Sequence, residues 1–193
     1  GNDRIWANEG DDTIYGGNGV NLIDGGGGND KIYGGEGADT IYTGDGNNGV
    51  WAAGGDDTIY GGAGDDLIDG GDGNDRIWAA GGDDVIYGGG GNDLIDGGDG
   101  ADWIDAGAGA DTIYGGAGAD LVVFGLGSGR DVFADFQIGV DHLRLQGVTA
   151  GQLTFAAAFD AAYGAGVTVS AGADAIFLKG ATLDKISAST LIG

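Results

Sequence analysis

Aspartate recurs at nine-residue spacing through the first two-thirds of the chain. The positions are Asp3, Asp12, Asp30, Asp39, Asp57, Asp66, Asp75, Asp84, Asp93, Asp102, Asp111 and Asp120, and Asn21 and Asn48 take the two places left over. Acid–base catalysis uses two carboxylates in unlike environments. A long row of identical carboxylates instead resembles a set of ligands for a hard cation. Stacked ~4.8 Å apart, like charges repel, and a divalent cation between them reverses the sign. Ca²⁺ accepts ~6–8 oxygens from carboxylates and backbone carbonyls in flexible geometry, whereas Mg²⁺ demands near-octahedral sites and keeps its waters. Turn capping alone does not require the same residue at the same place, preceded by glycine, in nearly every unit.

Other chemistries lack their residues. There is no Cys, which removes thiolate sites, disulfides and Cys nucleophiles, and His142 is the sole histidine. The sequence contains no His–Glu zinc motif and no nucleophile elbow, so the chain is expected to be non-catalytic. Net charge is −24. Residues 1–123 hold 25 acids and 3 bases, and residues 124–193 hold 6 acids and 4 bases. The charge therefore belongs to the repeats and marks a boundary near 123/124. Nucleic acid is not an expected partner, because phosphate binding needs a basic face. No apolar run reaches the ~18 residues of a membrane-spanning helix.

The elements that must position these carboxylates follow from the same period. Thirteen gapless units of nine residues fill 7–123, with a partial copy at 1–6. Each reads small, small, any, Gly, any, Asp, any, aliphatic, any, as in "GGGGNDKIY" at 25–33. The last three residues are rich in β-branched and aromatic types, which favour strands. Their middle residue, Ile14, Ile23, Ile32 and so on to Val122, should point into a shared interior. The other six form a Gly-dominated turn, and that much Gly is incompatible with a helix. A three-residue strand cannot bury its face alone, so copies must stack. Two units per 18-residue turn place alternate strands in two parallel sheets. The match of "GNDRIWANEGDDTIYGG" at 1–17 with "GNDRIWAAGGDDVIYGG" at 73–89 supports this count. The expected fold is all-β: a right-handed parallel β-roll over 1–123, with a C-terminal β-rich cap over 124–193. Cap strands are expected at 131–136, 142–146, 167–169 and 175–178. Residues 18 apart then stack, Asp39 over Asp57, Asp75, Asp93 and Asp111 on one edge and Asp66 over Asp84, Asp102 and Asp120 on the other.

The ninth position is often aromatic: Trp6, Tyr15, Tyr33, Tyr42, Trp51, Tyr60, Trp78, Tyr87 and Tyr114. Two readings stand. The rings stiffen the ladder by cross-strand stacking, or they form a strip for a glycan or protein partner.

The nonapeptide resembles the calcium-binding repeat of the RTX (haemolysin-type) parallel β-roll, found in C-terminal modules of secreted bacterial proteases, lipases, toxins and alginate epimerases. "GRDVFADFQIGVDHLRL" at 129–145 is similar to the segment that follows such repeats, with Asp131, Asp135 and Asp141 as further ligands or as parts of a solvated loop. "IFLKGATLDKISASTLIG" resembles the family's C-terminal stretch, which often carries a type I secretion signal, with Ser189-Thr190-Leu191-Ile192 in place of its usual ending. The resemblance implies Ca²⁺ held by the sixth-position side chains and by loop carbonyls. In this chain these are the carbonyls of Gly35, Gly37, Gly62, Gly64, Gly71, Gly73, Gly89, Gly91, Gly98 and Gly100. Asn21 and Asn48 are expected to offer an oxygen without charge, so the sites touching them should be weaker or empty and the stack weakest around them, in its N-terminal half. Eight stacked pairs keep Asp on both sides, which implies about eight strong sites.

The expected function is a Ca²⁺-binding module of a secreted, extracellular bacterial protein that folds on meeting calcium outside the cell and aids export. It is expected to be monomeric and to serve an upstream catalytic domain. Two alternatives are a Ca²⁺-dependent module holding an anionic polysaccharide for an epimerase or lyase, and a self-assembling surface-layer or filament component.

Overall fold

The computed structural model describes residues 1–187. The stretch Ser189-Thr190-Leu191-Ile192 lies outside them. The described residues form fourteen strands in the repeats: β1 (Arg4–Trp6), β2 (Thr13–Tyr15), β3 (Leu22–Asp24), β4 (Lys31–Glu36), β5 (Thr40–Tyr42), β6 (Gly49–Gly54), β7 (Thr58–Ala63), β8 (Leu67–Asp72), β9 (Arg76–Gly81), β10 (Val85–Gly90), β11 (Leu94–Asp99), β12 (Trp103–Asp105), β13 (Thr112–Ala117) and β14 (Leu121–Gly125). Five more follow: β15 (Arg130–Phe133), β16 (His142–Gln146), β17 (Thr154–Asp160), β18 (Gly164–Ala171) and β19 (Asp174–Lys179).

Successive strands go to opposite sheets. One sheet runs β1-β3-β5-β7-β9-β11-β13-β15-β19-β18-β17, and the other runs β2-β4-β6-β8-β10-β12-β14-β16. Within the repeats every pairing is parallel with an 18-residue register, such as Ile23↔Ile41 and Ile68↔Ile86. This is the parallel roll the period requires.

The interior is the aliphatic ladder. Ile23, Ile32, Ile41, Val50, Ile59, Ile68, Ile77, Ile86, Ile95, Ile104 and Val122 are fully buried. Many strands are six residues long rather than three, running through the first three positions of the next unit. The reason is period-two alternation. The first position of each unit lies two residues after the aliphatic and faces the same interior, so Ala52 and Ala79 are also fully buried. A small residue there lets two thin sheets meet.

Both sheets continue past the repeats. β15 pairs with β13 (Ile113↔Phe133), and β16 pairs with β14 (Val122↔Leu143). The register widens from 18 to 20 and 21 residues, and larger side chains take over the interior. Phe124 and Phe133 are fully buried, and Phe133 packs edge-on against Phe136 at 5.4 Å. β19 adds parallel to β15, then β18 and β17 turn antiparallel. The expected strand at 142–146 is β16. Those at 131–136, 167–169 and 175–178 fall on β15, β18 and β19 with shifted ends. β17 was not anticipated: its alanine-rich stretch carries no alternating pattern, and the hairpin with β18 defines it.

Candidate metal centre

Each sixth-position side chain lies at the end of a Gly-rich turn, where the chain enters the strand that buries its aliphatic. Rigid strand packing thus fixes the carboxylate. Asp30, Asp39, Asp57, Asp66, Asp75, Asp84, Asp93, Asp102, Asp111 and Asp120 are all buried to 2% exposure or less. Asp12 is less covered, and Asp3, at the open end of the stack, is exposed.

The two carboxylate oxygens do different things. Oδ1 accepts the backbone N–H of the sixth residue one turn earlier: Asp57 from Asp39 (2.6 Å), Asp75 from Asp57 (2.8 Å), Asp84 from Asp66 (2.7 Å), Asp93 from Asp75 (2.8 Å). This bond ties neighbouring turns together rather than capping its own turn. It accounts for one oxygen only. The Oδ2 atoms of Asp12, Asp30, Asp39, Asp57, Asp66, Asp75, Asp84, Asp93, Asp102, Asp111 and Asp120 are buried with no hydrogen-bond partner. An unsatisfied buried polar atom costs about 1–3 kcal/mol, more if charged. A whole domain is stable by only ~5–15 kcal/mol. Eleven such atoms together cost as much as that margin or more, so positive charge placed among them favours the ionised roll.

Electrostatics agree with the geometry. Burial pushes Asp57, Asp66 and Asp84 up to about 7 from 3.8, with the backbone N–H bond pulling back and neighbouring carboxylates adding to the rise. Asp75, Asp93, Asp102, Asp111 and Asp120 are pushed to about 6, chiefly by the same burial.

The loop around Oδ2 is shaped for it. A Cβ placed on Gly61 would lie 2.8 Å from Oδ2 of Asp66, and one on Gly88 2.7 Å from Oδ2 of Asp93. The second and fourth loop residues hold positive φ, as at Gly71 (98°) and Gly73 (147°). Asn21 shows which groups lie within reach of this place in its own loop. Its Nδ2, in the place of Oδ2, donates to the carbonyls of Gly17 and Gly19, the second and fourth residues of its own loop, at 3.2 Å each. The corresponding carbonyls elsewhere are those of Gly35 and Gly37, Gly62 and Gly64, Gly71 and Gly73, Gly89 and Gly91, and Gly98 and Gly100. An anionic oxygen in that place, with carbonyls at the positions Asn21 reaches, would make a ligand set for a hard cation, so the residues fit calcium. No three acidic or histidine groups converge among the described residues.

Asn21 and Asn48 differ from expectation. Their Oδ1 atoms accept from the N–H of Asp3 (3.0 Å) and Asp30 (2.9 Å), and the nitrogen rather than an oxygen faces the loop. The cap aspartates extend both ladders: Asp131 accepts from Asp111 N–H (3.2 Å) and Asp141 from Asp120 N–H (3.3 Å). The second oxygen of Asp141 accepts from Gln137 N–H, and both oxygens of Asp135 accept from Gly115 and Gly116 N–H. Asp141 is buried, so it is not part of a solvated loop, whereas Asp135 sits half-buried in a turn with its carboxylate on the Gly115 and Gly116 N–H groups.

One row escaped the sequence reading. The fifth position, open to any residue, carries Asn or Asp in most units, and their Oδ1 accepts the N–H one turn later: Asp11 from Asn29, Asn47 from Asp65, Asp65 from Asp83. It runs opposite to the sixth-position ladder. The signal was present in the recurrent Asn-Asp and Asp-Asp pairs.

Sequence comparison agrees with this geometry. The family model for the RTX calcium-binding nonapeptide repeat matches residues 1–23, 15–50, 51–86, 60–95, 69–102 and 96–131. The chain belongs to this family. No curated protein sequence matches it. Among solved structures it is similar to extracellular lipase LipA from Serratia marcescens, at 17% identity and a TM-score of 0.42, over 91% of this chain and 40% of the lipase chain. The chain thus spans less than half the length of that structure. The RTX repeats here place their aspartates in two ladders, one on each edge of the roll.

Proposed function

We propose that this chain is a non-catalytic module that couples folding to calcium in a secreted bacterial protein. The observation that carries the reading is the set of buried, unpartnered Oδ2 atoms, one per Asp loop. Bound calcium supplies positive charge and oxygen coordination at these loops. The chain's own residues do the rest. Oδ1 ties each turn to its neighbour, the Gly-rich loop turns carbonyls toward Oδ2, and the strands hold the spacing. The stacked pairs Asp12/Asp30, Asp39/Asp57, Asp57/Asp75, Asp75/Asp93, Asp93/Asp111, Asp66/Asp84, Asp84/Asp102 and Asp102/Asp120 keep carboxylates on both sides, which gives about eight strong sites. These ions offset most of the repeats' negative charge.

Without calcium, self-repulsion and buried oxygens oppose the compact state. A chain that stays unfolded where calcium is scarce is suited to export and folds where calcium is millimolar. Extracellular placement is supported by the family. The aromatic rows support the stiffening reading rather than a glycan strip. Tyr15, Tyr33 and Trp51 stack at 4.9 Å with planes within 13°, so their faces cover one another. A sugar would need those faces.

Circular dichroism of the whole chain through a calcium titration tests the reading. The expected result is cooperative gain of β-structure with calcium and little with magnesium. Full β-structure in excess chelator at neutral pH would overturn it.

A further inference from the structure

We propose that Asn21 and Asn48 stand in for the ion itself, so that loops 16–21 and 43–48 close without calcium. The inference rests on the calcium reading above and concerns the two loops that depart from it.

The amide orientation is fixed by its partners. Oδ1 of Asn21 accepts from Asp3 N–H and Oδ1 of Asn48 from Asp30 N–H, so a flipped amide would set N–H against NH₂. The nitrogen must then face the loop. Asn21 Nδ2 donates to Gly17 and Gly19 carbonyls, and Asn48 Nδ2 to the Gly46 carbonyl at 2.9 Å. In every fully formed Asp loop the equivalent atom is an orphaned oxygen, whereas neither asparagine has an unpartnered buried atom. An NH₂ group carries partial positive charge and offers two hydrogens. It meets the carbonyls as a cation would, and it repels a cation from the same place.

The Asn48 loop carries a second change in the same sense. Its first residue is Thr43 rather than Gly or Ala, and the side chain is fully buried. The Thr43 hydroxyl donates to the Gly61 carbonyl of the next turn and lies 3.3 Å from the Tyr60 carbonyl. That loop therefore presents two side-chain donors where an Asp loop presents an acceptor. One such loop lies on each edge of the roll, in its N-terminal half. These two loops are tied by their own amides where the Asp loops around them await calcium.

Ion stoichiometry by native mass spectrometry, paired with the calcium midpoint of folding by circular dichroism, tests this on the full chain. Asn21→Asp and Asn48→Asp should each bind at least one more calcium ion than wild type. Conversely, Asp75→Asn should lose at least one ion yet fold at a calcium midpoint no higher than wild type, its amide serving the Gly71 and Gly73 carbonyls. Asp75→Ala should lose at least one ion and need several-fold more calcium. Unchanged stoichiometry in both Asn→Asp variants, or Asp75→Asn behaving as Asp75→Ala, overturns the proposal while leaving calcium binding intact. A wild-type chain that binds no calcium would overturn both readings.

Discussion

Residues 7–60 and 61–123 share a nonapeptide and a register, yet their cohesion comes from different places. The first region has two loops closed by asparagine amides and two ring stacks, Tyr15–Tyr33–Trp51 and Tyr42–Tyr60–Trp78, the last ring overhanging into the second region. The second has an unbroken Asp ladder on each edge and no third stack. Its outer rows alternate instead: Asp69, Tyr87 and Asp105 on one sheet, Trp78, Asp96 and Tyr114 on the other. No two of these outer aspartates are adjacent, so an aromatic ring separates like charges. One backbone thus accepts two kinds of glue. Side-chain donors and stacked rings act at any calcium level, whereas carboxylate loops hold only when their charge is met.

Calcium removal should break the comparison most. In chelator at neutral pH, hydrogen exchange should show residues 61–123 losing protection fully and the Asn21 and Asn48 loops of the first region keeping a measurable share. Uniform loss would mean the halves do not differ. Acid should act in the opposite direction on the metal-free chain. Folded-state values of about 6 to 7 lie above the ordinary 3.8, so the folded form binds more protons between those limits. Metal-free stability is then greatest below about pH 4 and falls as pH rises through 6 to 7. The calcium midpoint should shift the other way, to higher calcium as pH drops from 8 to 6, because protons compete for the same oxygens. Parallel titrations in chelator and in calcium check both signs.

A single rung comes next. Asp84→Ala removes the acceptor of Asp66 N–H along with one carboxylate. It should cost about 1–3 kcal/mol and raise the calcium midpoint several-fold. Tyr33→Ala removes the centre of a stack with neighbours at 4.9 Å on both sides. A loss of about 1–3 kcal/mol is expected, the same at any saturating calcium concentration. Tyr87→Ala loses only a contact with Trp103 tilted by 60° and should cost less. Chemical denaturation of both variants in calcium tests this. The smallest effect should be shared by the halves. Ala53 and Ala80 hold φ of 80° and 83° at the second loop position, a conformation glycine takes without strain. Ala53→Gly and Ala80→Gly should each stabilise by up to about 1 kcal/mol, and a clear difference between them would show that the loops are not equivalent.

Much of this was legible because the period is short and unbroken. The aliphatic at every eighth position could only be core, and Asp at every sixth could only stack. The longer strands were less visible, because Gly and Ala at the first position look like turn residues until alternation buries them. In the cap, Asp135 and Asp141 looked like metal ligands or a solvated loop. Only the fold brings Gly115, Gly116 and Gln137 N–H groups to them. The fifth-position ladder was missed because its residues vary between Asn and Asp and lie exposed.

By itself, the sequence determined the stack, the 18-residue turn and the two aspartate ladders, since repetition fixes what lies above what, and it pointed to calcium through the family of its repeats. The tertiary structure decided how each carboxylate divides its oxygens, and that the asparagines face their loops with nitrogen. Those outcomes depend on which N–H of the neighbouring turn comes within hydrogen-bond reach, and such contacts exist only once the turns have closed on one another.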